Sequence, residues 1–153
     1  MKVLFLLESR KTPSSRFRAY NYSEFLKKAG IAFTSIAIPK NFLARFFIFL
    51  PIPFYDLVFV QKKIFHVWEL VIIRALATKI IYDIDDAIMF MDKPAEESGL
   101  ERIRTIGKNK RFYRTLNTVD YVIAGNRYLV NIIRKYNTNI YFPKCFVCFI
   151  FIL

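Results

Sequence analysis

Residues 79–86 read KIIYDIDD, an apolar run that gives way to acidic side chains. The β-branched and aromatic residues predict a buried strand over 79–84, because such side chains pack well on a pleated sheet. Residues 55–60 form a similar short run, and between the two runs residues 65–77 are apolar over a length typical of a helix. A strand, a helix and a second strand in this order form the unit from which parallel sheets are built.

The same alternation extends towards both ends of the chain. Asn41 and Asn126 can cap helices, and Gly30 after two lysines is a common helix end. The remaining predicted strands span 3–7, 31–38, 119–124 and 139–142, and the remaining predicted helices span 15–29, 41–50, 98–116 and 126–136. We therefore predict an α/β fold with a single Rossmann-like doubly wound parallel sheet and helices on both of its faces.

The composition supports one well-filled domain. Of the 153 residues 55% are hydrophobic, and the mean hydropathy is +0.28. We assign the domain to residues 1–142 and treat 143–153 as an atypical apolar tail. The sequence has two cysteines, no pattern of a secretory signal, and no apolar run of the ~18–20 residues that cross a bilayer. We expect a cytoplasmic protein, either free or in peripheral contact with the inner face of the membrane.

Charge is unevenly distributed along the chain. The 24 Lys and Arg residues exceed the 12 Asp and Glu residues, yet six of those acids fall between Asp83 and Glu97. The net charge of +12 favours phosphate-bearing or acidic partners. The coat is not uniformly basic and the sequence contains no nucleic-acid-binding motif, so nucleic acid is not expected as a partner.

The predicted helix after this acidic stretch is basic along one face. Arg104, Lys108 and Arg111 share that face, while Ile103, Ile106 and Tyr113 can face the protein. Such a helix can rest on anionic lipid, where each cation near the surface contributes ~1 kcal/mol. It can equally be a solvated face that neutralises the acidic stretch, and the sequence leaves both interpretations open.

Ligands of doubly wound sheets bind beyond the carboxyl ends of the strands. Residues 8–18 contain no glycine, so a glycine-rich phosphate loop is not predicted, and arginines at a helix start either bind phosphate or are solvated. Neighbouring carboxylates suit a proton acceptor, but they also suit turn capping or pairing with arginines. The candidate site residues are Ser14, Ser15, Arg16 and Arg18 after the first strand, Gln61 and Lys62 after the third, Asp83, Asp85 and Asp86 at the end of the fourth, and Asn126 after the fifth.

Four segments, taken in order, resemble a known family. They read PSSRFR at 13–18, YDLVFVQK at 55–62, IYDIDDA at 81–87 and DYVIAGN at 120–126. Their order and spacing resemble the N-terminal domain of bacterial GT-B glycosyltransferases of the group-one, family-4-like class. The resemblance implies an enzyme that moves a sugar from a nucleotide-sugar donor to a polysaccharide or lipid-linked acceptor. It implies no cofactor besides the nucleotide sugar, which is a substrate, and no catalytic metal.

The resemblance assigns roles to the candidates and marks two departures. It places Asp85 and Asp86 at catalytic positions and the other candidates at substrate-binding positions. Many relatives have a His-Asp pair where this chain has two aspartates, so a histidine base is not carried over. The resemblance ends near Pro143, before the linker and donor-binding domain of that family. We therefore expect a truncated fragment with little transfer activity of its own.

Two other classes of function stay open. A stand-alone flavodoxin-like regulatory domain would also contain a doubly wound sheet, but its paired acids would be expected after the first strand instead of the fourth. A basic membrane-binding or nucleic-acid-binding module is supported by the net charge alone.

Overall fold

The computed structural model describes residues 1–7, 23–85 and 99–142, which contain six strands and five α-helices. The strands are β1 Lys2–Leu7, β2 Ala32–Ala37, β3 Leu57–Gln61, β4 Ile80–Ile84, β5 Tyr121–Ala124 and β6 Ile140–Tyr141. The helices are α1 Ser23–Lys28, α2 Phe42–Phe49, α3 Val67–Leu76, α4 Gly99–Thr118 and α5 Arg127–Ile133, and a short 3-10 turn spans Ile52–Phe54.

The strands form one parallel sheet whose winding direction reverses between β1 and β3. The strand order is β2-β1-β3-β4-β5-β6, and every neighbouring pair is parallel. The chain goes from β1 outward to β2, returns past β1 to β3, and then continues outward to β6. This reversal is the switch point of a doubly wound sheet, and ligands of such folds bind at the carboxyl ends of the strands that flank it.

Both faces of the sheet pack against helices. On one face, strand residues such as Leu6 and Tyr82 form a core with inward side chains of α2, α3, α4 and α5. On the other face, Phe5 and Phe59 form a second core with Leu26 of α1. Strand residues divide between the faces because successive side chains point in opposite directions. We call these the four-helix face and the α1 face, and together they confirm the predicted fold class.

Signals in the local sequence set the ends of the helices. The side chain of Asn126 accepts the N–H of Leu129 at 2.9 Å, and that of Asn41 accepts the N–H of Leu43 at 3.0 Å. Both predicted caps are therefore confirmed. Gly30 follows α1 with φ +72°, a left-handed conformation that glycine adopts without steric cost.

The exposed face of α4 differs from the prediction. Ile106 was expected to face the protein, and this is wrong, because α4 turns Thr105, Phe112 and Leu116 inwards and leaves Ile106 exposed. Those three residues are spaced by seven and four positions, so they share one side of the helix. Arg111, expected on the solvated basic face, is partly buried and has its guanidinium 3.2 Å from Nδ1 of His66.

Several predicted features lie outside the described residues. They are the first part of the predicted helix over 15–29, the start of the predicted helix at Ser98, and the tail over 143–153. Among the helices that the structure describes, none combines the length and the apolar character needed to span a bilayer.

Candidate functional site

The carboxyl ends of β3, β4 and β5 bring five polar residues together. Gln61, the last residue of β3, is in register with Asp83 of β4, and both are buried. Lys62 and Asp85 come directly after those two strands, and Asn126 follows the end of β5. Since neighbouring parallel strands end at the same edge of a sheet, the five residues form one group. We call it the carboxyl-edge cluster.

Lys62 has a left-handed backbone conformation, with φ 52°. This conformation costs a residue other than glycine roughly 1–2 kcal/mol, and such residues concentrate at functional sites. Two contacts hold Lys62 in place. Its N–H donates to the carbonyl of Asp83 at 2.9 Å, and its ammonium nitrogen lies 2.6 Å from Oδ1 of Asp85. The turn after β3 therefore places a cation against the end of β4.

Gly125 allows the end of β5 to approach Asp85 closely. A Cβ atom at position 125 would lie 2.7 Å from Cα of Asp85 and 3.2 Å from its carbonyl oxygen, so only glycine fits. The N–H of Gly125 donates to the carbonyl of Ile84 at 2.8 Å, and Nδ2 of Asn126 donates to the carbonyl of Asp85 at 3.3 Å. Asp85 is thus fixed from the β3 side by Lys62 and from the β5 side by residues 125 and 126.

The two aspartates of the cluster differ in exposure. Asp83 is fully buried on the α1 face, whereas the side chain of Asp85 is 22% exposed. Of the two, Asp85 is therefore the one whose carboxylate can meet a ligand from solution. Asp83 contributes its backbone carbonyl to the turn at Lys62.

The structure brings together every candidate residue that it describes. Gln61, Lys62, Asp83, Asp85 and Asn126 were predicted from three strand ends and lie at one edge of the sheet. The other candidates lie outside the described residues, namely Ser14, Ser15, Arg16, Arg18 and Asp86. Gly125 was missed as a site residue, although a glycine directly after a predicted strand indicates close backbone approach.

A buried acid near the start of α3 was also missed. Glu69 is fully buried, and its carboxylate accepts the N–H of His66 at 2.6 Å and pairs with Arg45 of α2 at 3.1 Å. Arg45 also donates to the carbonyl of Pro39 at 2.7 Å. The spacing of Glu69 three residues after the helix cap was the available signal. These contacts fasten α2 to α3, so we interpret Glu69 as structural.

The remaining titratable groups add no second site within the described ranges. Burial raises the pKa of the Tyr113 phenol, and the facing phenol of Tyr136, whose ring stacks on it at 4.2 Å, raises that pKa further. This pair joins α4 to the residues after α5. In the same ranges, no three His, Cys, Asp or Glu side chains lie close enough together to hold a metal ion.

The chemistry of the carboxyl-edge cluster is that of polar recognition. A carboxylate accepts hydrogen bonds from hydroxyl groups, an ammonium holds an anion, and a carboxamide does either. No protein-family model matches the sequence, and a search of curated proteins found no match.

Proposed function

We propose that this chain is the acceptor-side, N-terminal part of a glycosyltransferase. The enzyme would move a sugar from a nucleotide-sugar donor to a polysaccharide or lipid-linked acceptor. One observation carries the proposal: the ion pair of Lys62 with Asp85 lies at the sheet edge where doubly wound folds bind ligands. The order of the four sequence segments supports it, because three of them contribute residues to this cluster.

Each solvent-reaching member of the cluster has a role in the proposed reaction. Asp85 accepts the proton of the acceptor hydroxyl as that oxygen attacks the anomeric carbon of the donor sugar. The bond from this carbon to the nucleoside diphosphate breaks, and the diphosphate leaves with the bonding electrons. Lys62 orients the Asp85 carboxylate, and Asn126 offers an amide to sugar hydroxyls. Asp86, which lies outside the described residues, is the second proposed catalytic residue.

The phosphate groups of the donor need separate contacts. Arg16 and Arg18, with Ser14 and Ser15, are proposed to meet them, since guanidinium groups and hydroxyls bind phosphate oxygens well. Gln61 and Asp83 are both buried, so we propose that they hold the neighbouring Lys62 and Asp85 in position. In the glycosyltransferases that this sequence resembles, a second domain binds the donor, and we propose that such a domain supplies the remaining contacts with it.

Two measurements test the proposal. The genomic DNA after codon 142, translated in all three frames, should encode a linker and a second Rossmann-like domain. Nucleotide release from several nucleotide sugars should be negligible for residues 1–153 and substantial for the chain joined to that domain. In the joined chain, Asp85→Asn should lower turnover more than Asp83→Asn, because Asp83 is buried. Unchanged turnover in Asp85→Asn would contradict the assigned role.

A second candidate is a stand-alone flavodoxin-like regulatory domain. The strand order favours it, because flavodoxin-like sheets follow the order 2-1-3-4-5, to which this chain adds a sixth strand. A phosphoacceptor domain of this kind should gain one phosphoryl group when incubated with acetyl phosphate. Mass spectrometry of the intact chain distinguishes the candidates, since the glycosyltransferase proposal predicts no added phosphoryl group.

A further inference from the structure

The outer side of α2 is apolar and exposed. Its exposed residues recur at positions i, i+1, i+4, i+5 and i+8, so they line one side of the helix. On the inner side Phe49 is fully buried, with its ring 6.2 Å from that of Trp68 on α3. α2 is therefore anchored to the core while it presents a second apolar side to solvent. These outer residues, between 47% and 67% exposed, are Phe42, Leu43, Phe46, Phe47 and Leu50.

The apolar surface continues from this helix onto α3. The ring of Phe42 lies 4.7 Å from that of Trp68, which connects the surface to Val67 and Val71, both exposed on α3. Single exposed apolar residues are ordinary, but a connected set of this size marks an interaction surface.

The adjoining half of the same helical layer is basic. Among the described side chains of α2 to α5 there is one acid, Glu69, which is buried and paired with Arg45. Cations that could attract an anionic surface are exposed along α4 and α5 and directly after α5. They are Lys110, Arg114, Arg127, Arg134 and Lys135.

A groove lies between the apolar and basic halves. It has a volume of about 460 Å³ and runs between α3 and α4. Leu70, Val71 and Ala75 form apolar walls on the α3 side, while Arg114 of α4 lines the opposite wall. Apolar walls beside a guanidinium match the chemistry of a phospholipid, in which glycerol joins apolar acyl chains to a phosphate.

We propose that the outer surface of α2 to α5 docks on an anionic phospholipid bilayer. α2 enters the interface between headgroups and acyl chains, and the cations of α4 and α5 contact the headgroups. A second copy is the less favourable occupant, because the described layer offers no exposed acid to pair with its own cations and the chain carries a net charge of +12. The inference does not rest on sugar transfer.

Flotation with lipid vesicles tests the proposal on the full chain. Phosphatidylcholine vesicles that contain about a third phosphatidylglycerol should carry the chain upward, and pure phosphatidylcholine vesicles should carry much less. The double variant Leu43→Gln, Phe47→Gln should weaken binding about tenfold or more, because two exposed apolar side chains are lost. Lys110→Gln with Arg114→Gln should weaken it roughly tenfold and remove most of its salt dependence.

Matched controls lie away from this surface. Lys27→Gln with Lys28→Gln removes the same charge from the α1 face, and Phe142→Gln removes an exposed aromatic ring after β6. Neither should change vesicle binding by more than about twofold. Trp68, the single tryptophan, adds a readout that needs no variant. Brominated lipids should quench its fluorescence, since it contacts Phe42 at the proposed interface.

Three results would overturn the proposal. The first is that the wild-type chain does not float with anionic vesicles and its Trp68 fluorescence is not quenched by brominated lipid. The second is equal flotation of wild type and of a Leu43→Gln, Phe47→Gln variant whose circular dichroism is native. The third is a dimer in light scattering that this variant dissociates, without vesicle binding, which would assign the surface to a second copy.

Discussion

The two edges of the sheet use aspartate in different ways. At the amino edge, Asp56 and Asp120 each lie one residue before a strand. Each forms two hydrogen bonds with the first residue of a neighbouring strand. The carboxylate of Asp56 accepts the N–H of Lys2 at 2.7 Å, and the N–H of Asp56 donates to the carbonyl of Lys2 at 2.9 Å. Asp120 makes the same two bonds with Ile80, at 2.7 and 3.1 Å.

At the carboxyl edge, Asp85 comes directly after a strand and not before one. Asp85 lies instead beside Lys62, whose backbone is left-handed, and against Gly125, where a Cβ would not fit. The amino-edge aspartates thus extend the sheet, whereas the carboxyl edge accepts conformational cost to hold charged groups together. The aspartates of the sequence motifs thus divide into Asp56 and Asp120, which extend the sheet, and Asp83 and Asp85, which lie at its carboxyl edge.

The largest expected effect is at Gly125. Gly125→Ala should lower the free energy of unfolding by about 3 kcal/mol, because the new Cβ meets the backbone of Asp85. Gly107→Ala is the control, since nothing lies within 4 Å of a Cβ there, and it should raise stability by about 1 kcal/mol within α4. Urea denaturation measures both. Wild-type stability in Gly125→Ala would show that β5 does not approach Asp85 as described.

The next effect separates the two edges. Asp120→Ala should lower the free energy of unfolding by about 2 kcal/mol. The N–H of the buried Ile80 loses its acceptor, and Arg74 loses its partner at 2.8 Å. Asp120→Asn, which keeps an acceptor oxygen, should recover part of this loss. Asp85→Asn should lower the free energy of unfolding less, by about 1 kcal/mol, because the carboxamide keeps an acceptor oxygen for the Lys62 ammonium. Equal losses for Asp85→Asn and Asp120→Ala in urea melts would remove the distinction between the edges.

A smaller effect tests the backbone of Lys62. Lys62→Gly should be more stable than Lys62→Ala by about 1 kcal/mol, since both lose the ion pair and only glycine relieves the left-handed conformation. At Lys110, inside α4, the order should reverse, because glycine is about 1 kcal/mol worse than alanine in a helix. Thermal melts of the four variants provide the comparison. A more stable alanine at position 62 would contradict the described conformation.

The sequence was sufficient to predict the fold and most of the cluster. Short apolar runs located the strands, and parallel strands end at a common edge, so the order of the strands along the chain was enough to group Gln61, Lys62, Asp85 and Asn126. The helix caps at Asn41 and Asn126 could be predicted from the sequence because they depend on contacts within three residues.

What the sequence could not predict depends on contacts between distant segments. The clash that excludes a side chain at Gly125 arises because the pairing of β4 with β5 places it against Asp85, which follows β4. The 3-10 turn at Ile52–Phe54 and the inward turn of Arg111 towards His66 follow from packing of neighbouring elements. The exposed side of α2 could not be predicted for a similar reason. The helix is apolar on both sides, and the fold decides which side is buried.

We propose that the carboxyl edge binds ligands, whereas the amino edge completes the sheet. The most direct test is an amide-resolved NMR titration of the chain with UDP-glucose, UDP-N-acetylglucosamine, GDP-mannose and octyl glycosides as acceptor analogues. We expect shifts at Lys62, Asp85 and Asn126 with at least one probe, none at Asp56 or Asp120, and loss of the response in a folded Asp85→Asn variant. Shifts centred on the amino edge, or an unresponsive carboxyl edge with every probe, would contradict this assignment.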